Sequence, residues 1–141
     1  MLLDVGCGDG YLSEQLQRCG NQVVGFDNDL RLVAAARSRG LEVRHGNAEQ
    51  LYFYQEFDAV LSYDALHWMQ RSDQVAIGIY EALKPGGRFV GEFAGPDTRK
   101  SCGAHCAIHW RADPLTSKSP TSFTCPRPAP ISGCWKTRGS M

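Results

Sequence analysis

Three glycines within five residues, Gly6, Gly8 and Gly10, follow a short apolar run that holds one acid, Leu2-Leu3-Asp4-Val5. Glycine lacks a Cβ, so a turn of this composition takes positive φ and lets a ligand lie against backbone N–H groups. The N-terminus of a helix beginning after it adds donors and partial positive charge, which suits a carboxylate or a phosphate. Many strand-to-helix turns need glycine for shape alone, so the turn by itself does not name a ligand. Its spacing is more informative. The dinucleotide fingerprint is G-x-G-x-x-G, whereas Gly6-Cys7-Gly8-Asp9-Gly10 is G-x-G-x-G with Asp4 in the strand before it. A second acid, Asp27, stands seventeen residues after Gly10, at the end of the next apolar run. A carboxylate there can accept two hydrogen bonds from a ribose diol. The competing reading is that Asp27 caps the following helix, a job for which Asp29 is better placed.

The elements that must position these residues alternate along the chain. Leu2, Leu3 and Val5 read as a buried parallel strand. Leu12, Leu16 and Cys19 recur at helical spacing from Tyr11 to Cys19, closed by Gly20-Asn21. Gln22–Phe26 is a second strand, and Leu30, Val33 and Ala34 mark a helix capped by Asp29 and stopped by Gly40. Leu41–Arg44 is a short third strand, followed by the loop His45-Gly46-Asn47-Ala48-Glu49. Phe57–Ser62 is a fourth strand running into Tyr63-Asp64-Ala65-Leu66-His67-Trp68. Ser72 is expected to cap a helix with Val75, Ile79 and Leu83 inward, ended by Pro85-Gly86-Gly87, and Arg88–Phe93 is a fifth strand. Strand and helix joined by short connections predict right-handed βαβ units and a parallel sheet, an α/β fold. Ligands bind such sheets outside the carboxyl ends of the strands, where all the residues above fall.

The ordered set resembles the class I S-adenosylmethionine-dependent methyltransferases over residues 1–95. The matching points are Asp4 with the glycine turn, Asp27, Gly46-Asn47-Ala48-Glu49 after strand three, Phe57-Asp58 opening strand four, and Leu83-Lys84-Pro85-Gly86-Gly87-Arg88 before strand five. Many members carry Asp where this chain has Asn47, whose carbonyl keeps the acceptor. The resemblance implies a Rossmann-like open sheet of strand order 3-2-1-4-5 with flanking helices, and S-adenosyl-L-methionine as cofactor. It implies cofactor contacts from Asp4, Gly6, Cys7, Gly8 and Gly10, and from Asp27 and Asn28 after strand two. It also implies an adenine-lining loop of Asn47, Ala48 and Glu49, with Ser62 at the end of strand four.

Ala65-Leu66-His67-Trp68, with Gly91-Glu92-Phe93 later, is similar to the trans-aconitate methyltransferase-like branch, which acts on small molecules. Methyl transfer from a sulfonium is an in-line displacement governed by positioning and desolvation. An acceptor carboxylate is already ionised at neutral pH and needs no base. A hydroxyl or amine acceptor would need one, and His67 is the first candidate catalytic base, with Tyr63 and Asp64 behind it. A lone His beside Trp is more often packed structure.

Composition divides the chain near Pro96-Asp97. Residues 1–97, the expected cofactor-binding core, hold 8 basic and 14 acidic side chains, and residues 98–141 hold 7 and 1. Only Ile108, Leu115, Phe123 and Ile131 in the last 44 residues are Leu, Ile, Val or Phe, while 16 are Pro, Ser or Thr, so a disordered tail is expected. Its basic residues are scattered without a stripe, which argues against a nucleic-acid partner. Cys102, His105, Cys106 and His109 would share one face if helical, but the outer two would be about 10 Å apart along the axis, too far for one tetrahedral zinc. No metal site is expected. The 6 cysteines are poorly distributed for a disulfide framework, and without a secretory signal free thiols are expected. No apolar run reaches the length of a membrane span, so the default is a soluble cytoplasmic protein.

Members of the family carry a helix before strand one and further helix and strands after strand five. Nothing in this sequence reads as those elements, so it resembles a chain truncated at both ends. With no partner for strand five, its open edge predicts dimerisation or poor solubility. The function expected is methylation of a small molecule, a carboxylate being one acceptor class. The alternatives are a non-catalytic cofactor-binding remnant or partner subunit, and a nicotinamide-dependent oxidoreductase, which the glycine spacing and the Asn47-Ala48-Glu49 loop disfavour.

Overall fold

The structure, a computed structural model, describes residues 1–94 and 105–112. The expected tail, residues 98–141, falls outside these apart from residues 105–112. Leu2–Val5 forms β1, Val23–Asp27 β2, Glu42–His45 β3, Phe57–Tyr63 β4, Leu83–Ala94 β5 and His105–Arg111 β6. They make one sheet of order β3-β2-β1-β4-β5-β6, in which the first five strands run parallel and β6 is antiparallel to β5. The 3-2-1-4-5 order is the one expected. It makes β1 central, which is why Leu3 and Val5 are fully buried.

Register assigns the faces. Leu2 and Asp4 of β1 sit beside Ala59 and Leu61 of β4, and Leu61 sits beside Val90 of β5. On this face α1 (Tyr11–Arg18) reaches Asp4 through Ser13. Beneath α2 (Leu30–Ser38) a small cluster gathers Cys7, Val33, Ala36, Leu41 and Val43. The opposite face carries α3 (Ser72–Ala82), whose Val75 and Ile79 bury against Leu3, Val60 and Phe89. Each such fully buried aliphatic or aromatic side chain stabilises the fold by roughly 1.5–3 kcal/mol. Phe53 joins this core edge-on to both Phe26 and Phe57, with centroids 5.7 and 5.1 Å apart. No helix among the described residues is long and apolar enough to cross a membrane.

Three local expectations are corrected. Ser72 is the first residue of α3 and not its cap; Arg71 occupies the cap without a side-chain bond. The N–H groups of Gln70 and Arg71 donate instead to Glu49 Oε1, at 2.9 and 3.1 Å. A carboxylate from a distant loop therefore serves the entry to the helix, which local reading cannot anticipate. Leu83 lies not on the helix but at the start of β5, and Pro85-Gly86-Gly87 is a register irregularity inside that strand. Phe57 pairs with Leu83 and Ala59 already with Arg88.

The third correction concerns β6. His105–Arg111 pairs along β5, from Arg88 with Arg111 to Ala94 with His105. The β5 edge is thus paired on both sides, which removes the premise for a dimer through it. A strand at the rim of a sheet is held by main-chain hydrogen bonds, so its sequence needs little apolar pattern. His105, Cys106 and His109 consequently lie on a strand and not on the helix considered for them; Cys102 lies outside the described residues.

The turn after β1 is tightly packed. Gly10 has φ +81°, and a Cβ there would lie 2.4 Å from Leu41 Cδ1 and 2.8 Å from Ala36 Cβ. Gly10→Ala is expected to cost about 3 kcal/mol, combining left-handed strain with overpacking. Gly20, at φ +92° with no heavy atom within 4 Å of its Cβ position, meets strain alone; Gly20→Ala is expected to cost about 1–2 kcal/mol. Urea unfolding of the two variants checks this, and equal losses would contradict the packing argument.

Candidate functional site

A cleft of about 600 Å³ opens at the carboxyl ends of β1 and β4, lined by Asp4, Gly6, Cys7, Gly8, Asp9, Tyr11, Leu12, Tyr63 and Asp64. The glycine turn shapes it because Gly6 and Gly8 hold φ of +77° and +57°. A Cβ on Gly6 would lie 2.3 Å from Ala65 Cβ, so this glycine lets the loop after β4 close onto the turn. A Cβ on Gly8 would meet no heavy atom within 4 Å. Gly8 therefore borders open space, where a ligand has room to approach the backbone.

The expectation that the turn offers its N–H groups to a ligand is corrected. Gly6 and Cys7 N–H both donate to the Phe26 carbonyl, at 2.7 and 3.2 Å, and Gly10 N–H donates to the Cys7 carbonyl at 3.0 Å. Gly8 N–H donates to Asp27 Oδ2 at 2.9 Å. The turn is closed on itself, and the polar surface it shows to the cleft is acidic.

Asp27 is the link between this turn and β2. Its second oxygen, Oδ1, accepts from Asp29 N–H at 2.9 Å. A carboxylate offers about four lone-pair sites, so both oxygens keep capacity for a diol after these bonds. Asp29 does the capping of α2, accepting from Arg31 N–H at 2.9 Å. The capping of α2 thus falls to Asp29 and not to Asp27.

Gly10, Asp27 and the remaining candidates lie outside the cleft lining. The Asn28 carbonyl is 3.0 Å from His45 Nε2. Asn47 Oδ1 accepts from Glu49 N–H at 2.9 Å and caps the one-turn helix Ala48–Gln50, so the carbonyl expected to face a ligand already has a partner. Ala48 is buried in the main core. Glu49 anchors the entry to α3. Ser62, 2% exposed, donates to the Val5 carbonyl at 2.8 Å and ties β4 to β1 from within. His67, in the one-turn helix Leu66–Trp68, has Nδ1 3.8 Å from Asp64 Oδ1 and its ring 4.8 Å from that of Trp68. Sequence reading missed Asp9, Tyr11 and Leu12 as cleft residues, although their place directly after the glycines was a usable signal. It named Tyr63 and Asp64 only as substitutes for His67, whereas the structure sets both on the cleft wall.

A family model described as a methyltransferase domain matches residues 3–91. The chain belongs to the class I S-adenosylmethionine-dependent methyltransferase family. It is 39% identical over 100 residues to an uncharacterized methyltransferase of Schizosaccharomyces pombe, covering 64% of this chain and 38% of that protein. It is 34% identical over 93 residues to a ubiquinone biosynthesis O-methyltransferase of Roseobacter denitrificans, covering 61% of this chain and 38% of that one. Among solved structures it is similar to phosphoethanolamine N-methyltransferase 2 of Haemonchus contortus in complex with S-adenosyl-L-methionine. That match has a TM-score of 0.62 and 30% identity, and covers 65% of this chain and 24% of the other. The methyltransferase-family chain thus spans 38% of the length of the two curated relatives.

Burial tunes two groups in the floor of this methyltransferase-family cleft. The Cys7 thiol is pushed up to about 12, first by burial and then by the nearby Asp4 and Asp27 carboxylates, so it is a neutral wall and not a nucleophile. Asp4 is raised from 3.8 to about 6 by burial, opposed by the Ser13 hydroxyl donating at 2.5 Å, with Asp27 adding a smaller upward push. A carboxyl raised on folding favours the folded state below its unfolded value, and that contribution is lost as pH rises through the folded one. At pH 7.5 the ionised Asp4 therefore costs about 3 kcal/mol relative to an unshifted acid. Asp4→Asn should be closest in stability to the native chain near pH 4 and gain on it up to pH 7.5, read by urea unfolding across that range. A pH-independent difference would show that Asp4 is not strained by its burial.

Proposed function

We propose that the chain binds S-adenosyl-L-methionine in the cleft after β1 and methylates a small molecule presented from the side of β4. The observation that carries this reading is the Asp27 carboxylate, held by Gly8 and Asp29 N–H groups with acceptor capacity to spare. It stands beside a turn whose middle glycine borders open space. The cofactor's ribose diol fits Asp27, and its positively charged end fits a cleft bearing Asp4. The exposed Asn47 amide and the backbone around Ala48 suit the polar edge of an adenine. When bound, the cofactor supplies an electrophilic methyl group on a sulfonium. The chain's own residues orient and enclose: the Gly6–Ala65 contact narrows the cleft, Cys7 and Leu12 give it apolar wall, and Tyr63 and Asp64 stand where an acceptor enters. His67, beside Asp64, is the base for an acceptor that must lose a proton.

A nicotinamide dinucleotide fits poorly. Its pyrophosphate is a dianion that seeks free N–H donors, while four N–H groups of this turn are bonded internally and Asp4 and Asp9 line the cleft. The Ala65-Leu66-His67-Trp68 run supports an acceptor of low molecular mass, as in the trans-aconitate methyltransferase-like branch.

Asp27→Ala removes charge-assisted hydrogen bonds worth roughly 1.5–3 kcal/mol each. Affinity for S-adenosylhomocysteine, measured by calorimetry, should fall at least about tenfold, with circular dichroism checking that the variant is folded. Unchanged affinity would remove Asp27 from the site. Tighter binding of NAD than of S-adenosylhomocysteine to the native chain would overturn the reading altogether.

A further inference from the structure

The carboxyl ends of β2, β1 and β4 succeed one another across the sheet, so Asp27 lies behind the glycine turn on the β2 side, outside the cleft lining, while Tyr63 and Asp64 line the cleft on the β4 side. Among the described residues, no Lys, Arg or His lines it. Its acids are not equivalent. Asp9 is paired with Arg39 at 2.9 Å, and Asp4 is buried against the Ser13 hydroxyl. Asp64 stands at the mouth with its side chain 61% exposed, facing the His67 ring. Beside it Tyr63 leaves an aromatic ring 52% exposed. Asp64 is fixed there by its backbone, which takes φ +53° and donates its N–H to the Glu92 carbonyl at 2.7 Å. A carboxylate beside an exposed ring is a receptor for an organic cation, combining charge-assisted hydrogen bonds with attraction to the ring face. The same pair repels an anion.

We infer that the methyl acceptor is a small amine, received in its ammonium form by Asp64 and Tyr63. This rests on the methyltransferase reading of the cleft and replaces the carboxylate acceptor considered from sequence. An ammonium nitrogen has no lone pair to offer, so one N–H bond must break. Its electron pair stays on nitrogen and forms the new bond to the methyl carbon as the sulfonium's carbon–sulfur bond breaks. The proton leaves by way of Asp64 to the adjoining His67 imidazole, which stands outside the cleft lining with Nδ1 3.8 Å from Asp64 Oδ1. Asp64 is thereby the group that selects the substrate.

The test uses the full chain saturated with S-adenosylhomocysteine and three probes of one shape: benzylammonium, benzyl alcohol and benzoate. Binding is read by calorimetry in the native chain and in Asp64→Asn. Asn tolerates the left-handed backbone at this position, so the variant changes charge with little strain. Benzylammonium is expected to bind the native chain tightest of the three and to lose about tenfold or more in affinity with Asp64→Asn. Benzyl alcohol should change little and benzoate should gain. Benzoate binding the native chain as tightly as benzylammonium, no benzylammonium binding at all, or an unaltered affinity in Asp64→Asn would each overturn the inference. Failure of S-adenosylhomocysteine itself to bind would instead overturn the methyltransferase reading, so the two failures are distinguishable.

Discussion

The Asp27 carboxylate, bonded through one oxygen to Gly8 N–H and through the other to Asp29 N–H, is the interaction on which the site depends. It ties the turn after β1 to the end of β2 and to the entry of α2. A buried carboxylate must be satisfied by donors or it neutralises. Here two backbone groups satisfy it, and each is thereby fixed in direction. The same acid keeps acceptor capacity beyond these two bonds. A stiff site of this kind limits the reorganisation needed when a ligand binds.

The glycines around that carboxylate serve different ends. Gly6 lets the loop after β4 approach, Gly10 lets α1 start against Ala36 and Leu41, and Gly8 leaves space on the cleft side. Two of the three are therefore packing requirements, and one borders the ligand space. Internal bonding of the turn's N–H groups has a chemical consequence. A site that shows donors attracts anions, whereas one that has used its donors and shows Asp4, Asp9 and Asp64 attracts cations. The family to which the chain belongs uses a sulfonium cofactor, and the charge of the cleft agrees with that choice.

The sheet supplies the distances. Because β1 lies between β2 and β4, Asp27 at the end of β2 and Asp64 just after β4 come to the two sides of the glycine turn, although only Asp64 lines the cleft. The hydroxyl of Ser62 holds β4 to β1 just below its floor, and Glu49 holds the segment before α3. These polar side chains look like ligand contacts when met in a loop or at a strand end. In the folded chain they serve the frame.

The alternation of strand and helix, the cap at Asp29 and the positive-φ glycine turn were legible in the sequence because each rests on local pattern, whereas the strand order came from the resemblance to the family. Hydrophobic periodicity marks an element whatever its neighbours are, and a cap or a left-handed turn is made by adjacent residues. What only the tertiary structure decided is where polar groups find partners across long separations. Local residues do not reveal that Glu49 serves Gln70 and Arg71, or that the glycine N–H groups are bonded to Phe26 and Asp27. The same holds for β6, whose pairing with β5 depends on main-chain hydrogen bonds that side-chain pattern does not encode. Sequence spacing names the groups that could do chemistry, and the fold decides which of them already have their hydrogen bonds filled from within and which, like Asp64, are left facing the cleft.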